Sequence, residues 1–192
     1  MELFQKIKDK YPYLPEDRIL DVLSLGEIVM LNVGDIFIKE GEKTSKAGLV
    51  IEGMMRNYIV NDNGEEVTVV FATEMQPSVP YSSFFLGRAA SETTAAVEPT
   101  ILFVMDFLAF KSRSKSDLLY ARLYADLLEE GYLAAIERIE DFTRTKPEQR
   151  YQRLLDTRGF LIERAPLKYL ASYLGITPVS LSRIRKRVSQ NR

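Results

Sequence analysis

The sequence predicts an α+β fold in three consecutive parts: an antiparallel β-barrel or jelly roll, a long helix, and a C-terminal helix-turn-helix domain. Three observations predict it. Short apolar runs separated by glycine turns recur from Glu27 to about Met105. A helical pattern then continues from Ser116 to about Phe142. Near the end, two short helical patterns meet at Gly175. The parts expected are residues 1–115, 116–142 and 143–192.

Residues 1–26 read as short helical pieces broken by Pro12 and Pro15. The strand runs follow: "EIVMLNV" and "DIFIKE" around Gly34, "KAGLVIEG" and "MMRNYIV" around Gly53, then "EEVTVVFAT" after the turn "NDNG". "TTAAVE" and "TILFVM", separated by Pro99, complete the set. Between Met75 and Ser91 the strand pattern lapses into "MQPSVPYSSFFLGRAAS". A loop or short helix here has two readings: a ligand pocket, or a connection whose Phe84, Phe85 and Leu86 plug the barrel end.

Ser116 with Asp117 can cap the long helix. Leu123, Leu127 and Ala134 lie near one stripe, and Tyr124, Leu128, Ala135, Ile139 and Phe142 on another. At ~1.5 Å per residue it would run about 40 Å. An apolar arc this broad should bury more than one face, one on its own barrel and one on a second subunit. The alternative is burial wholly within one chain. After "TRTK" another helix is expected, with Pro147 in its first turn and Gly159 at its end.

Composition excludes several activities. The 192 residues contain no cysteine and no histidine, so disulfides, thiolate chemistry, imidazole general bases and imidazole metal sites are absent. No motif points to an enzyme. No apolar run approaches the roughly 18 residues a bilayer span needs, and the N-terminus has no signal-peptide core. A cytoplasmic protein without membrane contact is expected. The net charge of −1 hides an asymmetry. Residues 1–142 hold 14 Lys+Arg against 24 Asp+Glu, whereas residues 143–192 hold 12 against 3. A basic C-terminal part on an acidic body suits a polyanion-binding module, or else a basic solvated surface.

The stretch "LKYLASYLGITPVSLSRIRKR", residues 167–187, decides between these. Leu170 and Leu174 are four apart on the first helix; Leu181, Ile184 and Val188 are three and four apart on the second. Both apolar faces therefore point into the angle between the helices. Ala171 must be small where they cross, Gly175 can take the positive φ of a tight turn, and Thr177 and Pro178 start the second helix. This is the helix-turn-helix pattern, whose second helix lies in the DNA major groove. A structural αα-hairpin is the alternative. The outward face is Thr177, Pro178, Val179, Ser182, Arg183 and Lys186. Arg183 can donate two bonds to guanine, and Val179 can meet a thymine methyl. Lys168, Arg185 and Arg187 are placed to hold phosphates.

With these residues the chain resembles the bacterial family of the cyclic-AMP receptor protein and the fumarate–nitrate regulator. Gly34, "EGE" around Gly41, "VIEGMMRNYIV" around Gly53 and "NDNGEE" around Gly64 match the barrel's turns, and "ASYLGITPVSLSRIRKR" matches the DNA-reading segment. The resemblance covers nearly the whole chain. It implies a cyclic-nucleotide-binding-like barrel, a dimerisation helix, and a transcription regulator reading a palindromic operator. Pro178 stands where the family frequently has a polar contact, which implies a different operator preference. In the family's nucleotide cassette a glutamate holds the ribose and an arginine the phosphate. Here Ser82 aligns with the glutamate and Glu92 with the arginine, and Arg88 has the wrong spacing. Ala135 and Ile136 replace the Thr-Ser pair of the long helix. A carboxylate facing a phosphate is repulsive, so cyclic nucleotide is disfavoured. No cofactor is required, the effector is unknown, and an effector pocket would be formed by Tyr81, Ser82, Ser83, Arg88, Glu92, Thr93 and Thr94. The expected partners are double-stranded DNA, a second copy of the chain, a small-molecule effector and RNA polymerase. A hinge is expected near Thr143–Lys146.

Overall fold

The computed structural model describes residues 2–190, the side chains of residues 82–84 excepted. Helices α1 (Glu2–Lys10) and α2 (Glu16–Leu23) come first, Pro15 standing at the N-cap of α2. Eight strands follow among the described residues: β1 (Gly26–Leu31), β2 (Ile36–Ile38), β3 (Lys46–Glu52), β4 (Met55–Val60), β5 (Glu66–Ala72), β6 (Pro77–Ser78), β7 (Thr93–Ala96) and β8 (Thr100–Asp106). Helix α3 (Tyr81–Leu86) interrupts them. After β8 come α4 (Phe107–Arg113), α5 (Leu118–Arg144), α6 (Pro147–Arg164), α7 (Leu167–Tyr173) and α8 (Pro178–Gln190).

The strands form two four-stranded sheets, ordered β1-β8-β3-β6 and β2-β7-β4-β5. Antiparallel registers include Val29 opposite Leu102, Leu49 opposite Phe103, and Asn57 opposite Thr94. Alternation turns Val50, Met55, Ala72, Ala96, Leu102 and Val104 into one cluster drawn from both sheets, which is how a jelly roll makes its core. Between β3 and β4, Gly53 has φ +98°, and a Cβ there would stand 2.5 Å from the Pro99 carbonyl oxygen. Only glycine fits that turn.

The chain divides into two compact units: Met1–Tyr58 with Phe71–Glu129, and Ile59–Val70 with Glu130–Arg192. The division falls inside α5, and the tip of the β4–β5 hairpin belongs to the second unit. In the first unit, Ile7, Tyr11, Leu14, Ile19, Val22, Phe107, Phe110, Tyr120 and Leu123 make a second core under the helices. Phe85 joins it, its ring 5.6 Å from that of Phe107 and 6.3 Å from that of Tyr124. Of the residues expected to plug the barrel, Phe85 is therefore packed, Leu86 is exposed, and the Phe84 side chain lies outside the described residues. The second unit buries Tyr151, Leu154, Leu161, Ala165, Leu170, Ala171, Leu174, Leu181 and Ile184.

Several elements differ from expectation. Strand β6 is two residues long and begins with proline, too little for a period to register. Helix α4 is capped by Asp106, whose carboxylate accepts from the backbone of Leu108 at 2.8 Å; its apolar residues simply continue the β8 run. At α5, Asp117 alone caps, accepting from Leu119 at 2.9 Å, while the Ser116 hydroxyl donates to the Arg113 carbonyl. Gly159 does not end α6. The helix kinks at Arg158 (φ −140°, ψ 45°) and resumes to Arg164.

Candidate nucleic-acid interface

The turn between α7 and α8 is built from two backbone bonds. The Ile176 amide donates to Ala171 O and the Gly175 amide to Ser172 O, each at 3.0 Å, while Gly175 has φ +69°. That is a Schellman closure, and it satisfies carbonyls the end of α7 leaves open. Two residues on, the Thr177 hydroxyl accepts from the Ser180 amide at 3.2 Å and donates to the Ser180 hydroxyl at 3.0 Å. Thr177 thus caps α8, with Pro178 in its first turn.

Packing sorts the helix faces as the spacing requires. Leu170, Ala171 and Leu181 are fully buried, and Leu174 and Ile184 nearly so. Each buried leucine contributes about 2 kcal/mol by area. Val188 is half-buried. Thr177, Pro178, Val179, Ser182, Arg183 and Lys186 are exposed along the opposite face of α8, Val179 at 61%. The Ser182 hydroxyl donates to the Pro178 carbonyl at 3.0 Å, so toward solvent it offers acceptor capacity. Lys168 is exposed on α7, its ammonium 4.6 Å from the Tyr169 ring centre. Arg187 is exposed and ion-paired with Glu148 at 3.2 Å, a contact worth little in water. Arg185 is turned elsewhere. Half-buried, it donates to the Ile162 carbonyl at 3.2 Å and secures α8 to α6.

In the barrel, Glu92, Thr93 and Thr94 are buried together. The Thr93 hydroxyl accepts from the Glu40 amide and that of Thr94 from the Ile38 amide, both at 3.1 Å, which anchors β2 along β7. Burial pushes the Glu92 carboxyl up to about 7, against a hydrogen bond from Asn57 that favours ionisation. Arg88 is exposed; Tyr81 is half-buried and stacks on Phe85, ring centres 6.4 Å apart. The side chains of Ser82 and Ser83 lie outside the described residues. Sequence reasoning passed over Asn57, whose amide donates to the Val79 carbonyl at 2.7 Å, and Ser78 and Arg56, all buried polar residues. The polar pair inside "MMRNYIV" was the available signal.

A jelly roll, a long helix and a capped helix-turn-helix follow one another in this chain, and its fold is that of CRP/FNR-family transcriptional regulators of known structure. The structure of FixK2 from Bradyrhizobium japonicum superposes with a TM-score of 0.71 at 14% identity, covering 86% of this chain and 85% of that one. The c-di-GMP responsive global regulator CLP of Xanthomonas campestris gives 0.71 at 13%, covering 90% and 91%. A CRP/FNR-family transcriptional regulator from Thermus thermophilus gives 0.65 at 18%, covering 86% and 87%. No protein-family model matches the sequence, and no curated protein matches it. The likeness is one of fold.

Proposed function

We propose that this chain is a homodimeric transcription regulator that reads a palindromic operator with α8. The observation that carries the reading is the division of α8 into a sealed face, Leu181 and Ile184, and a free face, Val179, Ser182, Arg183 and Lys186. A hairpin serving only as core packing has no need of that second face. The positive balance of residues 143–192 and the CRP/FNR fold support the same reading. Arg183 and Val179 read base edges, and Lys168, Lys186 and Arg187 hold phosphates.

The dimer reading rests on α5. Leu128, Tyr132, Ala135, Ile139 and Phe142 are exposed at spacings of four, three, four and three, the repeat of a two-stranded coiled coil. Pairing two copies through that seam sets two α8 helices against successive major grooves, about 34 Å apart. The barrel senses an effector other than cyclic AMP, because Glu92 stands buried where the resemblance places a phosphate-binding arginine. The protein works in the cytoplasm, alongside RNA polymerase, and is not an enzyme.

The test is anisotropy titration of the purified protein against a palindrome selected from random duplex. Affinity should fall by about three orders of magnitude between 50 and 200 mM salt, as for roughly six neutralised phosphates. Arg183→Ala should relax base preference at one position at a cost of about 1–3 kcal/mol, and Lys168→Ala should weaken every sequence alike. Salt-independent binding, or none, abandons the regulator reading.

A further inference from the structure

The expected hinge at Thr143–Lys146 is crossed by side-chain bonds from α6. Helix α5 ends at Arg144 and α6 begins at Pro147, so the chain turns a corner there. The side chain that closes this corner is Arg150, 8% exposed. Its Nη1 donates to Thr145 O at 2.6 Å and to Asp141 O at 3.4 Å, and its Nε donates to Leu174 O at 3.1 Å. Thr145 and Asp141 carry carbonyls at the end of α5, and Leu174 carries one at the end of α7. The dipole is negative at both helix ends, and the Asp141 carbonyl also accepts from the Thr145 amide at 3.3 Å and the Thr145 hydroxyl at 2.6 Å, so the bonds from Arg150 add to a helix end that is already tied down.

Phe142 completes the brace. Its ring lies beneath the Arg150 guanidinium at 4.5 Å and the Arg138 guanidinium at 4.4 Å. A Cβ on Gly175 would come within 2.7 Å of the same ring, so the turn that aims α8 is seated directly on α5. Arg153 adds an ion pair to Asp141. One planar cation with donors in several directions joins three carbonyls; a lysine ammonium at the end of a flexible stem cannot reproduce that fork.

We propose that Arg150 is the positioning residue that fixes the direction of α8 on the C-terminal half of α5, making Thr143–Lys146 a rigid corner rather than a joint. The proposal rests on the regulator reading above for its consequence: the distance between two recognition helices in a dimer is inherited from the α5 pair through Arg150.

The test uses the full chain and its Arg150→Lys variant, which keeps the charge. Duplexes carry one half-site, or two half-sites whose spacing is changed by one base pair either way. The native protein should lose about tenfold or more for each step off the preferred spacing, since twist and distance both change. Arg150→Lys should flatten that dependence to about threefold or less while binding the single half-site within about threefold of native. A spacing dependence as steep as native, or a loss on the single half-site equal to the loss on the palindrome, overturns the proposal.

Amide hydrogen exchange of the free protein supplies a readout that needs no DNA. The amides of residues 145, 175 and 176 should be protected in the native chain and released together in Arg150→Lys and in Phe142→Leu. Corner amides of the native chain that exchange as freely as an exposed turn overturn the rigid corner, whatever the DNA result. If the native chain binds no duplex, the regulator reading fails, and the exchange experiment alone decides the corner.

Discussion

At the scale of single residues, the buried acid of the barrel has a measurable signature. Glu92 is 8% exposed, and its carboxyl is raised from an ordinary 4.5 to about 7 by burial. In the unfolded chain the same carboxyl ionises near 4.5. Between those values the folded state holds a proton that the unfolded state has released, so stability falls as pH rises from about 4.5 to 7 and stays lower above it. The difference is worth roughly 3 kcal/mol at 1.36 kcal/mol per pH unit. Glu92→Gln should remove that pH dependence and stabilise the protein at pH 8 by roughly 2–3 kcal/mol. Urea unfolding at pH 4, 6 and 8 checks this; identical profiles for the two proteins would mean that Glu92 is hydrated in the folded state. Arginine is where sequence reading is least informative at this scale. Counting charge treats Arg150 and Arg185 as surface cations, yet Arg150 donates to three backbone carbonyls within the second unit and Arg185 to one. A long stem lets the same residue type face water or turn inward, and no local pattern tells which.

At the scale of elements, the cap of α8 is a separable contribution. Thr177→Ala removes the bond to the Ser180 amide and should cost about 1 kcal/mol. The loss should appear as faster exchange of the first amides of α8 before any change in its middle. Unchanged protection at Ser180 and Leu181 would assign the start of α8 to Pro178 alone. The helix-turn-helix was legible because several local requirements coincide within a few residues: a small residue at the crossing, a glycine at positive φ, a cap, and two apolar repeats. The barrel strands were legible from their turns. Strand β6 and helix α4 were not. One is too short to show a period, and the other follows an apolar strand without a composition break. Gly159 misled because a glycine can mark a kink as well as an end.

At the scale of the molecule, the proposed dimer is tested at the exposed seam of α5. Ile139 is 58% exposed within one chain and is the fourth of the five seam positions. Ile139→Asp should place a charge in each copy of that seam, shift the protein to monomer, and weaken palindrome binding far more than half-site binding. Sedimentation at micromolar concentration checks this, and a variant that remains dimeric would place the contact elsewhere. Among the described residues no helix is long and apolar enough to cross a membrane.

The second unit has a property that only its three-dimensional arrangement reveals. Thr68, fully buried in the β4–β5 hairpin, receives a bond from the Ser172 hydroxyl at 3.0 Å, and its own amide donates back to that hydroxyl at 3.2 Å. The guanidinium of Arg138 reaches the Thr68 carbonyl as well, at 3.5 Å. Thr68 and Ser172 are 104 residues apart in the chain. On a ribosome adding about 5–20 residues per second, the hairpin tip waits roughly 5–20 s for α7 to be made. A gene fragment starting at residue 130 omits that tip altogether. The helices it encodes would be synthesised without the strand against which Ser172 is seated.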